Sequence, residues 1–237
     1  MRDAVFGSLK VRLCGGSDRE GGGTGPLVVL LHGFGAPGTD LVPLYRELRP
    51  PEGTRFAFPE APLELDLGVG ESRAWWLIDM LKLEAALVRG ELRDLTRDVP
   101  EGLAEARALV TEMLDALERE LGVDGSRIVL GGFSQGAMLA LDVALRTGRP
   151  LAGLALMSGT LLAEDEWLPL MPKRAGLPVL QSHGRMDPLL PFSIAERLRD
   201  ELTKAGLAVK FIPFNGGHEI PGGALDGLDE LLRTTLR

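Results

Sequence analysis

One cysteine, Cys14, stands in a chain of 237 residues, so no internal disulfide can form and nothing marks an oxidising compartment. Near a strand end it reads as a small apolar side chain, not a catalytic thiol. Histidine is nearly as scarce. His32, His183 and His218 are the only three, and no His-rich spacing joins them, which argues against a metal centre. Positive charge is also short: 26 Lys and Arg face 34 Asp and Glu, a net −8, and the basic residues are scattered. That leaves no basic footprint for nucleic acid or an anionic membrane surface. No stretch approaches the ~20 apolar residues of a membrane span. The opening "MRDAVFGSLKVRL" has an early acid and no apolar block of signal-peptide length. A cytoplasmic protein without stable membrane insertion is the expectation.

What is present is an alternation of two patterns. β-rich runs appear at "VFGSLKVRL", "PLVVLLH", "TRFAFPE", "RIVLGGF", "LAGLALMSG", "LPVLQSHG" and "AVKFIPF". Helical patterns separate the later ones. Leu103, Ala106, Val110, Met113, Leu117 and Leu121 recur at three- and four-residue steps, with Pro100 suited to the first turn and Gly122 to the stop. This order predicts a single α/β domain over residues 1–237, a mostly parallel sheet with helices on both faces. In such sheets ligands bind beyond the carboxyl ends of the strands. Two segments break the alternation. "GGSDREGGGTG" (15–25) reads as a flexible connection; it precedes a strand instead of opening a helix, so it is no phosphate cradle. The stretch 77–99 is amphipathic, interrupted at Gly90, and reads equally as a lid-like insertion over a cleft or as a surface helix pair.

"GGFSQGAM" carries the chemistry. Gly132-Phe133-Ser134-Gln135-Gly136 fits the G-x-S-x-G pattern between an apolar strand and a helix, the context that pattern requires. So sharp a turn exposes the serine hydroxyl above the sheet and aims the N–H of Gln135 at the same space. A serine is a poor nucleophile unless an oriented base takes its proton. His218 in "NGGHEI" follows the last strand, and Asp187 in "SHGRMDPLLP" follows the one before it; Ser, then Asp, then His is the order of this fold class. A second oxyanion donor is expected from "LLHGFGAPG", as the N–H of Phe34. His32 and His183, each before a glycine at a strand end, are assigned to loop structure and not to proton transfer.

With these residues in view, the chain resembles the phospholipase/carboxylesterase group of α/β-hydrolases, which includes acyl-protein thioesterases. "LLHGFGA", "FPEAP", "SRAWW", "RIVLGGFSQGA", "LMSGTLL", "HGRMDPLLP" and "GGHEI" look like its successive blocks across nearly the whole chain. The resemblance implies Ser134 as nucleophile, Asp187 as orienting acid, His218 as base and oxyanion donors at Phe34 and Gln135. It also implies that Trp75 and Trp76 lie near the acyl site. The expected activity is hydrolysis of carboxylic esters, with thioesters and lysophospholipids as further candidates, through an acyl-enzyme. No cofactor is needed, and the partner is a small-molecule or lipid-like acyl ester. A peptidase or lactone hydrolase on the same scaffold, and a non-catalytic binding module, are the alternatives. A homodimer stays open, because one sequence does not separate interface from core.

Overall fold

The computed structural model describes residues 1–68, 70–79, 88–89 and 94–236. Among them, eight strands form one sheet: β1 (Arg2–Phe6), β2 (Leu9–Gly15), β3 (Leu27–Leu31), β4 (Arg55–Pro59), β7 (Ile128–Phe133), β8 (Gly153–Met157), β9 (Pro178–Gly184) and β10 (Ala208–Phe214). A separate hairpin joins β5 (Leu63–Leu65) to β6 (Ser72–Ala74). The order across the sheet is β1-β2-β4-β3-β7-β8-β9-β10. From β4 to β10 all neighbours pair in parallel, and only β1 with β2 and β2 with β4 are antiparallel. The run "VFGSLKVRL", expected as one strand, reverses at Gly7–Ser8 and splits into β1 and β2. The three-residue β5 and β6 carry too little apolar pattern to be seen in sequence.

Strands β3, β7 and β8 carry only apolar residues and glycine because both faces of the sheet are covered. Leu27, Val29 and Leu31 point into one core with Ile128, Leu130, Leu154 and Leu156. Val28 and Leu30 point into the other with Val129, Ala155 and Met157. On the first face lie α1 (Leu103–Leu121), α2 (Gln135–Thr147) and α3 (Phe192–Lys204); on the second lies α4 (Gly222–Thr235). Of the six apolar positions expected on α1, Leu103, Ala106, Val110, Met113 and Leu117 are buried, and Leu121 is partly so.

The glycine-rich loop expected to be flexible is pinned. Asp18 Oδ1 accepts the N–H groups of Glu20 and Gly22, and the buried guanidinium of Arg55 donates to the carbonyls of Gly23, Gly25 and Leu121. No helix among the described residues is long and apolar enough to cross a membrane.

One buried carboxylate joins the helical layer. Asp142 on α2 is fully buried and accepts from Arg107 of α1 (2.7 Å), Arg146 (2.7 Å) and the Trp167 indole N–H (2.8 Å). Removing one partner of such a group strands the others without compensation. Asp142→Ala is expected to cost about 3–5 kcal/mol, read as a lowered midpoint in urea unfolding.

Candidate active site

Strand β7 ends at Phe133 and α2 begins at Gln135, so Ser134 alone reverses the chain. It does so at φ 53°, ψ −117°, a left-handed conformation that a residue with a Cβ adopts only under constraint. The Ser134 N–H donates to the carbonyl of Met157 on β8 (2.8 Å), and its own carbonyl accepts from Ala137 and Met138. The flanking glycines give the turn its clearance. A Cβ on Gly132 would stand 2.4 Å from the Leu31 carbonyl oxygen, and one on Gly136 would stand 2.0 Å from the same atom. Strand β3 and the loop after it therefore lie directly against the corner.

His218 follows β10 in a loop that reaches back to this corner. Its Nε2 lies 2.8 Å from Ser134 Oγ, and its Nδ1 lies 2.7 Å from Asp187 Oδ2. An ionised carboxylate only accepts, so Nδ1 carries the proton and Nε2 is free to take that of the hydroxyl. The other Asp187 oxygen accepts the N–H groups of Leu189 (2.9 Å) and Leu190 (3.0 Å). Burial alone would raise the Asp187 pKa. The hydrogen bond and charge of His218, with the two amides, outweigh it and hold the carboxyl below its usual range.

The expected oxyanion residues meet here too. Phe34 and Gln135 line one cavity with Ser134 and His218. Gln135 is the first residue of a 13-residue helix, so its N–H lacks an acceptor within the helix and sits at the positive end of the dipole. The cavity measures about 740 Å³. Its walls are largely apolar and include Phe133, Met138, Leu162, Leu189, Leu190, Ile78, Leu95 and Val99. Residues 80–87 and 90–93 of the anticipated insertion lie outside the described residues. Its two flanks, 77–79 and 95–99, contribute to the lining.

The paired tryptophans divide. Trp76 joins the cavity wall, whereas Trp75, 2% exposed, turns into the core and donates its indole N–H to the His32 carbonyl at 2.9 Å. Of the two tryptophans expected near the acyl site, Trp76 lines the cavity and Trp75 braces the segments behind it. His183, assigned to a loop, lies inside β9; its Nε2 is 3.0 Å from the Leu190 carbonyl and 3.4 Å from Asp187 Oδ2. Burial lowers its pKa, disfavouring the charged imidazolium.

Two supports escaped the sequence reading. The Gln135 amide is fully buried, accepts from the N–H of Trp75 and donates to the carbonyl of Trp76, both at 2.9 Å. Ser158, at φ 50°, donates to the Glu219 carbonyl beside His218. A polar residue directly after the serine was a signal of the first. Nothing local distinguishes Ser158.

Most of the chain is similar to known proteins. The model of a family described as phospholipase/carboxylesterase matches residues 22–236. Acyl-protein thioesterase 1 of Neurospora crassa is 28% identical over 218 residues, 88% of this chain and 86% of the relative. Acyl-protein thioesterase 1 of Cryptococcus neoformans is 29% identical over 180 residues, 75% of this chain and 72% of the relative. The crystal structure of esterase PE8 superposes with a TM-score of 0.77 at 28% identity, covering 96% of this chain and 99% of that one.

Two outcomes are expected of this corner. Gly136→Ala forces a Cβ onto the Leu31 carbonyl and should cost about 1–3 kcal/mol as an overpacking substitution, checked by thermal unfolding. Asp187, with its folded pKa lowered, contributes stability that is present above the unfolded carboxylate range and lost as pH falls through the lowered value. Asp187→Asn should therefore flatten the loss of stability below about pH 4, measured by denaturant titration at several pH values against the unsubstituted protein.

Proposed function

Because the chain belongs to the phospholipase/carboxylesterase family and is a hydrolase of that group, we propose that it cleaves carboxylic esters and thioesters of apolar acyl groups through Ser134, His218 and Asp187. The observation that carries this reading is the continuous pair of hydrogen bonds from Ser134 Oγ to His218 Nε2 and from Nδ1 to Asp187. The hydroxyl opens directly into the apolar cavity.

The steps follow from the groups in place. His218 Nε2 takes the proton of Ser134 as Oγ attacks the acyl carbonyl. The carbonyl oxygen becomes an oxyanion facing the N–H groups of Phe34 and Gln135. Collapse expels the alcohol or thiol, which takes the proton back from His218, and leaves the acyl group on Ser134. Water, deprotonated by the same nitrogen, then releases the carboxylic acid and restores the serine. Asp187 stays ionised throughout, holding the ring and stabilising the imidazolium. None of these steps calls for a metal or a redox cofactor.

The cavity supports an acyl group of some length. Its volume lies within the range of sites that enclose most of a small ligand. In this reading the described flanks of the 77–99 stretch contact the acyl group, because Leu77, Ile78, Leu95 and Val99 line the cavity.

Initial rates on p-nitrophenyl esters from acetyl to palmitoyl, and on the matching thioesters, test the proposal. Ester turnover is expected to exceed amide and lactone turnover. Ser134→Ala should leave only the roughly 10³- to 10⁴-fold acceleration over water that binding and the oxyanion hole supply. Equal rates in the mutant would end the reading. Val99→Trp, at a half-exposed cavity position, is expected to move the chain-length optimum toward shorter esters. An unchanged optimum would remove Val99 and its flank from the acyl site.

A further inference from the structure

We infer that His32 is a positioning residue of the oxyanion hole, holding the Gly33 carbonyl so that the N–H of Phe34 turns to the space above Ser134. The inference rests on the proposed role of Phe34 as an oxyanion donor. It gives a function to a histidine that takes no part in proton transfer.

The tautomer of His32 follows from its neighbours. The backbone N–H of Ala61 points at Nε2 from 3.1 Å. A backbone N–H can only donate, so Nε2 is the acceptor and the ring proton resides on Nδ1. Nδ1 lies 2.8 Å from the Gly33 carbonyl oxygen and donates to it. That carbonyl and the N–H of Phe34 belong to one planar trans peptide, whose C=O and N–H point in opposite directions. Fixing the oxygen toward His32 therefore fixes the N–H of Phe34 away from it. Gly33 itself packs against the corner, where a Cβ on it would stand 3.4 Å from the Ser134 Cβ, and Phe34 lines the same cavity as Ser134.

The ring has little freedom to release its hold. His32 is 1% exposed and packs on Trp75 with ring centroids 5.6 Å apart. The Trp75 indole holds the His32 carbonyl, and Gln135 holds the Trp75 N–H. The peptide planes on both sides of Gly33 are thus tied, one to Ala61 just after β4 and one to the helix that carries Gln135. Gly35 and Ala36 add a ladder to Arg73: the Gly35 N–H donates to the Arg73 carbonyl and the Arg73 N–H to that of Ala36. Burial also disfavours the charged imidazolium, which would lose Nε2 as an acceptor.

The experiment compares His32→Phe, which keeps a ring without a donor, with His32→Asn, whose amide nitrogen can stand where Nδ1 does. Turnover of a p-nitrophenyl ester and affinity for an alkyl boronic acid are measured on each, after a thermal melt shows it folded. The boronate forms a tetrahedral adduct on the serine that places an oxygen in the hole. His32→Phe is expected to lose about 10²-fold in kcat, the cost of one oxyanion donor, with KM little changed and boronate affinity falling in parallel. His32→Asn should regain much of both. A folded His32→Phe with full kcat and boronate affinity, or one changed in KM alone, overturns the inference.

The imidazole ¹⁵N spectrum of the unsubstituted protein gives a readout independent of turnover. It is expected to show His32 protonated at Nδ1, and protonation at Nε2 would overturn the assignment. Absent ester turnover in the unsubstituted enzyme would instead count against the proposed hydrolase activity.

Discussion

Ser134 stands at φ 53° because the strand ending at Phe133 and the helix starting at Gln135 leave one residue to turn the chain. A backbone conformation of this kind costs about 1–3 kcal/mol and persists only where its surroundings over-determine it. Here they do. The corner is hydrogen-bonded to β8 through Met157, capped by the first turn of α2, and pressed against β3 so closely that no side chain fits at Gly132 or Gly136. The same closeness brings the loop after β3 into contact with the serine. The presentation of Ser134 and the approach of the loop after β3 to it are consequences of one packing constraint, not separate features.

Around that corner the supports are polar and buried, and they run between segments far apart in the chain. Gln135 links α2 to the backbone at Trp75 and Trp76, Trp75 links that segment to His32, and His32 links the loop to Ala61 after β4. Asp187 is held in the same way, by the amides of its own loop on one oxygen and by His218 on the other. Each bond exchanges contact with water for a partner inside the protein, so its net stabilisation is modest, while leaving either partner unpaired is costly. That asymmetry makes such a network better at specifying geometry than at adding stability.

The sheet was legible because burial on both faces writes itself as unbroken apolar runs such as "LVVLL" and "RIVLGGF". The helix of residues 103–121 was legible because a one-sided burial repeats at three and four residues. The order Ser134, Asp187, His218 was legible because each residue follows a strand. That Trp76 lines the cavity and Trp75 does not was hidden, since both are buried and adjacent residues differ only by which way the chain leaving a three-residue strand happens to face. The pinning of the 15–25 loop was equally hidden, as its anchor, Arg55, lies thirty residues downstream.

The sequence by itself determined the fold class, the corner that presents Ser134 and the candidates for acid and base. Those features depend on local periodicity, on turn chemistry and on the order of elements. Only the tertiary structure decided which nitrogen of His218 faces the serine, which nitrogen of His32 carries the ring proton, and that Gln135 and Trp75 brace the site. Those assignments depend on hydrogen bonds between residues 29 to 84 positions apart. A backbone donor from Ala61 can set a histidine tautomer only once folding has brought it there.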